Sequence, residues 1–98
     1  MEKKDMTVHI AAWKKKHGDV FAYEADGKIC YLHRPGRDVI AAASVVGKDD
    51  PFKFAEIVLS NCWLGGDEEL RSDDRYFMGL SQKISDIIEI KVGEIKKL

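Results

Sequence analysis

Apolar and polar positions along this chain alternate between two rhythms, one with the period of a helix and one with the period of a strand. Residues 6–17, "MTVHIAAWKKKH", space Val8, Ala11 and Ala12 as a short helical stripe, with Ile10 beside it and Trp13 continuing the helix. Thr7 is a candidate N-cap. Lys14, Lys15, Lys16 and His17 suit the negative end of the helix dipole, and Gly18 predicts a stop. The period then changes to two. "DVFAYEADGKICYLHRP" predicts strands over 19–25 and 28–34 around Asp26-Gly27, a pair that favours the positive φ angles of a type I′ turn. Centring the turn there sets Ala25 opposite Lys28, Tyr23 opposite Cys30 and Phe21 opposite Leu32. Phe21, Tyr23, Cys30 and Leu32 then share a face that should be buried. The other face carries Val20, Ala22, Glu24, Ile29, Tyr31 and His33, and is mixed. Pro35 and Gly36 end the second strand.

Helical spacing returns in the second half. An alanine-rich segment predicts a helix over 38–46, stopped at Gly47. Asp49-Asp50-Pro51 is a fresh start, an aspartate cap followed by proline in the first turn. The next helix is predicted over 51–64. Its apolar residues run most of the way round, which makes it the central buried helix. Cys62, Trp63 and Leu64 are expected to pack inward at its end, with Trp63 largely buried. Gly65-Gly66 should break it, with a positive φ at one of the two. With Ser72 or Asp73 as cap, Phe77, Leu80, Ile84, Ile87 or Ile88, Val92 and Ile95 predict a long amphipathic helix over 73–92. Gly93 weakens its last turns, and the alternation in "IIEIKV" leaves a strand open there. The fold class is α+β: one small domain over 1–98, with an N-terminal helix, one antiparallel hairpin and three helices packed on it.

Composition narrows the functions. A chain of 98 residues supports one core. Its 45% apolar and 34% charged residues are those of an ordinary folded domain. A net charge of −1 supplies no overall field for nucleic acid. The start has charge but no continuous apolar segment, so a cytoplasmic chain without a membrane span is expected. Two cysteines fit a reducing compartment.

Candidate chemistry is sparse. His9, His17 and His33 lie on different elements without metal-ligand spacing, and Cys30 and Cys62 form no CxxC pair. Neither a metal nor a cofactor is expected. Cys62 sits near a helix C-terminus, where the dipole disfavours a thiolate, so it reads as a buried apolar residue rather than a nucleophile. Gly65-Gly66 follows a helix rather than preceding one, the wrong side for an anion site. The acids Asp67, Glu68, Glu69, Asp73 and Asp74 read as helix caps and solvated charge. No enzyme is expected on these grounds.

Several stretches taken in order nevertheless carry a resemblance: "WKKKHG", "YLHRP", "DVIAAASVVGKDDP", "FAEIVLSNCWLGGD" and the acidic "SDD". The chain resembles the small tail assembly chaperones of long-tailed bacteriophages and prophages, over nearly its whole length and most closely over 31–74. The order and spacing of these stretches carry the match, with no single diagnostic motif. The resemblance implies a non-enzymatic protein of the host cytoplasm, absent from the finished virion, that binds the tape measure protein and helps recruit tail tube protein around it. In many members a programmed frameshift adds a C-terminal extension, for which "GEIKKL" is a possible starting place. Holding a long helical client calls for apolar surface. Candidates are Ile84, Ile88, Val92 and Ile95 on the last helix and Ile29 and Tyr31 on the outer hairpin face; the alternative is that they pack within the domain, the favoured reading for Ile84 and Ile88, and self-association through them is plausible. The alternative is a small cytosolic module that regulates by binding protein or nucleic acid, the latter through Lys14–Lys16, Arg34 and Arg37.

Overall fold

The computed structural model describes residues 7–88 and 90–98. The class is α+β, with a three-stranded antiparallel sheet and five α-helices, the N-terminal one first. The order is α1 (Thr7–His17), β1 (Val20–Ala25), β2 (Lys28–His33), α2 (Arg37–Val46), α3 (Pro51–Cys62), β3 (Trp63–Gly66), α4 (Glu69–Ser72), α5 (Asp74–Ser81) and a 3₁₀ turn (Ile84–Ile87). Residue 6, where the first helix was expected to begin, lies outside the described residues.

The hairpin has the expected register. Phe21 opposes Leu32, Tyr23 opposes Cys30 and Ala25 opposes Lys28. Asp26 and Gly27 take φ values of 51° and 76°, as a type I′ turn requires. Tyr76 donates its hydroxyl hydrogen to Asp26 Oδ2 at 3.0 Å, tying α5 to this turn. Cys30 and Leu32 are buried in the core, and Phe21 and Tyr23 pack against its edge.

Two expected elements differ. The helix from Pro51 ends at Cys62 rather than at 64, and Trp63–Gly66 form a third strand paired with β2. The last helical turn is already weakened. Ser60 Oγ and Asn61 Nδ2 each donate at 2.8 Å to a carbonyl four residues back, competing with the helix's own amides. Meanwhile β2 has a second edge. In an antiparallel pair, residues alternate in facing their partner, so Ile29 turns its main-chain groups away from β1. Asp67 meets both of them: its amide donates to the Ile29 carbonyl at 2.9 Å, and its Oδ2 accepts from the Ile29 N–H at 2.9 Å. The strand reaches this position through a bulge between the pairs Tyr31–Gly65 and Leu32–Trp63. Gly66 lies so close that a Cβ there would strike the Ile29 carbonyl oxygen and the Cys30 Cα, and its φ is +121°. The positive φ expected near Gly65-Gly66 is therefore present, but it serves a strand rather than a helix stop. Trp63 is half-buried, not largely buried, with the Arg71 guanidinium 4.3 Å over its ring.

The long helix expected over 73–92 is the second difference. Asp73 caps α5 by accepting from the Arg75 amide at 2.9 Å, as foreseen, but the α-helix stops at Ser81. Lys83 then bonds to the Leu80 carbonyl, starting the 3₁₀ turn. Leu80, Ile84 and Ile87 still reach the core at the expected spacing. Ile88 and residues 90–98 have no regular secondary structure. Ser81 bonds back to Met78, and the β-branched run Ile84, Ile87, Ile88, Ile90 and Val92 holds little helix propensity once packing ends.

The sheet lies between two layers. On one face α3 presents Ala55, Val58, Leu59 and Cys62, spaced i, i+3, i+4, i+7, toward Cys30 and Leu32. The helix is buried along that stripe rather than most of the way round as expected, since Phe52, Glu56, Ser60 and Asn61 are exposed. Asp50 caps it as foreseen, accepting from the amides of Phe52 and Lys53. On the other face lies α1, through Ile10, Trp13 and His17 rather than the expected Val8, Ala11 and Ala12, which are exposed. The Trp13 ring lies 5.5 Å from that of Tyr31.

Gly66→Ala is expected to lower unfolding free energy by at least about 2 kcal/mol, because the positive φ alone costs about 1–3 kcal/mol and the backbone clash adds to it. Gly65→Ala places its methyl at an ordinary 3.5 Å from the Trp13 ring and should cost far less. Urea titration of both variants checks the difference, and equal losses would contradict this strand packing.

Candidate protein-binding surface

The surface is best approached from the core outward. Leu59, Leu70, Leu80 and Val58 are fully buried, so apolar side chains left outside stand out. One group surrounds the junction of α2 and α3. Gly47 packs directly against the backbone of Phe54, which brings the last turn of α2 beside the first turn of α3. Val45 and Val46 in that last turn are 79% and 55% exposed, and Phe52 in the first turn of α3 is 45% exposed. The Phe52 ring lies 6.3 Å from the ring of Phe77 on α5, and the next residue, Met78, is also exposed. Phe52 thus lies where α2, α3 and α5 meet, and each of the three helices carries an exposed apolar side chain near that junction. A second group is the irregular C-terminal arm, in which Ile90, Val92, Ile95 and Leu98 are exposed.

The expected binding residues divide. Ile84 is buried in the core and Tyr31 is covered by Trp13, so neither presents a binding surface. Ile29 is half-buried, with its backbone held by Asp67. Ile88 packs partly on the core, whereas Val92 and Ile95 are exposed, though on an arm rather than a helical stripe. Sequence reasoning missed Val45, Val46, Phe52 and Met78 as surface residues. Phe52 reads as core because helical spacing alone does not say which of two apolar flanks faces inward. The signal that could have found Phe52 is its place in the first turn, before the i, i+3, i+4, i+7 stripe begins.

Among the residues expected as structural motifs, Asp26 and Gly27 make the turn, Pro35 follows β2, and Cys62 ends α3 in the core. Burial pushes the thiols of Cys30 and Cys62 up to about 11. A thiol in that range is almost wholly protonated near neutral pH, which suits a packing role. The acids are engaged. Glu68 accepts from Arg71 through both carboxylate oxygens, and this holds its pKa below the ordinary value. Asp73 is held down first by the Arg75 side chain and then by its amide. Arg34 donates to the Ile87 carbonyl at 3.1 Å, pairs with Asp19 at 2.9 Å and lies over the Phe21 ring. It is bound into the fold, whereas Lys14, Lys15, Lys16 and Arg37 are exposed.

No protein-family model, curated protein or solved structure matches this chain. Among the described residues, no three His, Cys, Asp or Glu side chains are grouped to hold a metal ion, and no helix is long and apolar enough to cross a membrane.

His17 and His33 stack face to face, with ring centroids 4.3 Å apart and planes within 2°. The two His33 nitrogens lie 2.9 Å from the Arg34 carbonyl oxygen and 3.0 Å from that of Asn61, and a neutral imidazole donates to only one of them. Burial, then the neighbouring His33 and Lys16, lower the His17 pKa below 6.5. Folding therefore favours uncharged His17, and the unfolded chain takes up its proton first as pH falls.

Two outcomes are expected. Stability should decline as pH drops below about 6.5, before the carboxylates titrate, and His17→Gln should flatten that part of a pH series of urea midpoints. A colorimetric disulfide reagent at neutral pH should leave both cysteines unmodified in the folded protein and modify both after unfolding.

Proposed function

We propose that this chain is a non-enzymatic, cytoplasmic assembly chaperone for the tail of a long-tailed bacteriophage or prophage. It binds the tape measure protein and helps recruit tail tube protein around it. The order and spacing of the stretches over 31–74 supply the family reading. The single structural observation that supports a holding role is the apolar face built by Val45, Val46, Phe52 and Met78 around the junction of three helices. Clustered exposed apolar side chains on a well-packed domain mark an interaction surface more often than scattered ones do. An amphipathic helix lays one apolar stripe into such a face, with anchors one turn apart. A tape measure protein, long and helical, offers many such stripes. The chaperone then covers them until tube protein takes its place.

Co-expression with a tape measure protein from the same tail gene cluster should raise that client's soluble fraction several-fold and yield a co-purifying complex. The double variant Phe52→Ser, Met78→Ser should lose most of the capture while its unfolding midpoint stays within the range of ordinary surface changes. If the unmodified protein leaves the client insoluble and no complex forms, the proposal fails.

A further inference from the structure

Strand β1 is an edge of the sheet, and its open side borders a groove of about 210 Å³. Phe21 and Tyr23 of β1, Leu80 of α5, and Ile84 and Ile87 of the 3₁₀ turn line it. The type I′ turn makes Ala25 and Lys28 the hydrogen-bonded pair beside it, so the main-chain groups of Val20 and Ala22 point away from β2 toward this open side. An edge of this kind accepts a further strand.

The chain also carries a strand without a sheet. Residues 90–98 form an arm with no regular structure, in which Ile90 and Val92 are 77% and 88% exposed. Ile88, Ile90 and Val92 recur with period two, the spacing that sets side chains on one face of a strand.

We propose that this arm adds, antiparallel, to the β1 edge of a second copy of the chain, and that two copies exchange arms reciprocally. Direction favours a second copy over the arm's own β1. Arg34 bonds both the Ile87 carbonyl and Asp19, so the arm is rooted beside the beginning of β1. From there it can run along its own β1 only in parallel. An antiparallel strand must enter from the hairpin end, which a two-fold related copy reaches, and antiparallel pairing matches the rest of the sheet. The period-two apolar spacing sets a register. With Val92 opposite Tyr23 and Ile90 opposite Ala25, Gly93 stands beside Ala22. Glu94 then falls opposite Phe21, beside the groove that Lys83 lines. Ile95 meets Val20. Eight residues of extended chain span about 26 Å, enough to cover a six-residue strand.

Sedimentation equilibrium tests this on the full chain. A mass twice the chain's 11.1 kDa is expected at micromolar concentration. Val92→Asp, which alters only an exposed arm residue, should return the monomer mass, as should Ala22→Pro at the edge. The variant carrying Ala22→Cys and Gly93→Cys should form a disulfide between chains under mild oxidation, and neither single variant should form that mixed link. A disulfide within one chain, a monomer at every concentration, or a dimer that persists with Val92→Asp would each overturn the proposal. The apolar face around Phe52 is untouched by these variants, so client capture reads out separately.

Discussion

Strand β2 has main-chain donors and acceptors on both sides, and once the hairpin closes one side the other must find partners in a buried setting. That requirement organises the rest of the chain. It draws Trp63–Gly66 out of helical form and onto the sheet, and it gives Asp67 the task of matching both polar groups of Ile29. It also explains why a glycine stands at position 66, where the two strands approach too closely for a side chain. With β3 in place, α3 cannot continue, and α4 and α5 must start on the far side of the sheet edge. Leu70, Leu80 and Ile84 are carried into the core by that path.

The same constraint sorts the surface. Closing the sheet under α3 on one face and under α1 on the other covers Tyr31 and half-covers Ile29, which in an isolated hairpin would be open. The apolar residues that remain outside are those at helix ends, where the core stripe has run out: Val45 and Val46 at the end of α2, Phe52 at the start of α3 and Met78 beyond the reach of the core. Two of these ends are fixed locally: Asp50 caps the start of α3, and Gly47 at the end of α2 packs on the Phe54 backbone. The arm differs: its apolar side chains Ile90, Val92, Ile95 and Leu98 are exposed on irregular backbone. The two proposals assign them different tasks, client capture to the helix ends and arm exchange to the irregular segment.

The proposed chaperone role draws on order and spacing along the chain and on the position of exposed apolar groups, neither of which names a client. The thiols and the acidic stretch that first suggest chemistry are absorbed by packing and by helix caps. Cys62 lies in the core with its pKa raised, and Asp67, Glu68 and Asp73 each hold a local contact.

Local interactions decided the parts that were legible in sequence. Asp26-Gly27 sets its own backbone angles, so the turn and the whole hairpin register followed from two residues. Asp50-Pro51 and Asp73 carry their caps within three residues, so the helix starts were legible as well. Helical spacing also marked Leu80 and Ile84 as inward-facing. Three features waited for the tertiary structure. Trp63–Gly66 became a strand because β2, some thirty residues earlier, offered an open edge. The chain left the α-helix after Ser81 although its apolar spacing continues, and Ile84 and Ile87 reach the core from a 3₁₀ turn instead. And α1 turned Ile10, Trp13 and His17 inward, since Tyr31 and His33 lay across the sheet to receive them. A residue's own neighbours in sequence govern turns and caps, whereas burial depends on which surface arrives from elsewhere in the chain, and that is settled only when the layers meet.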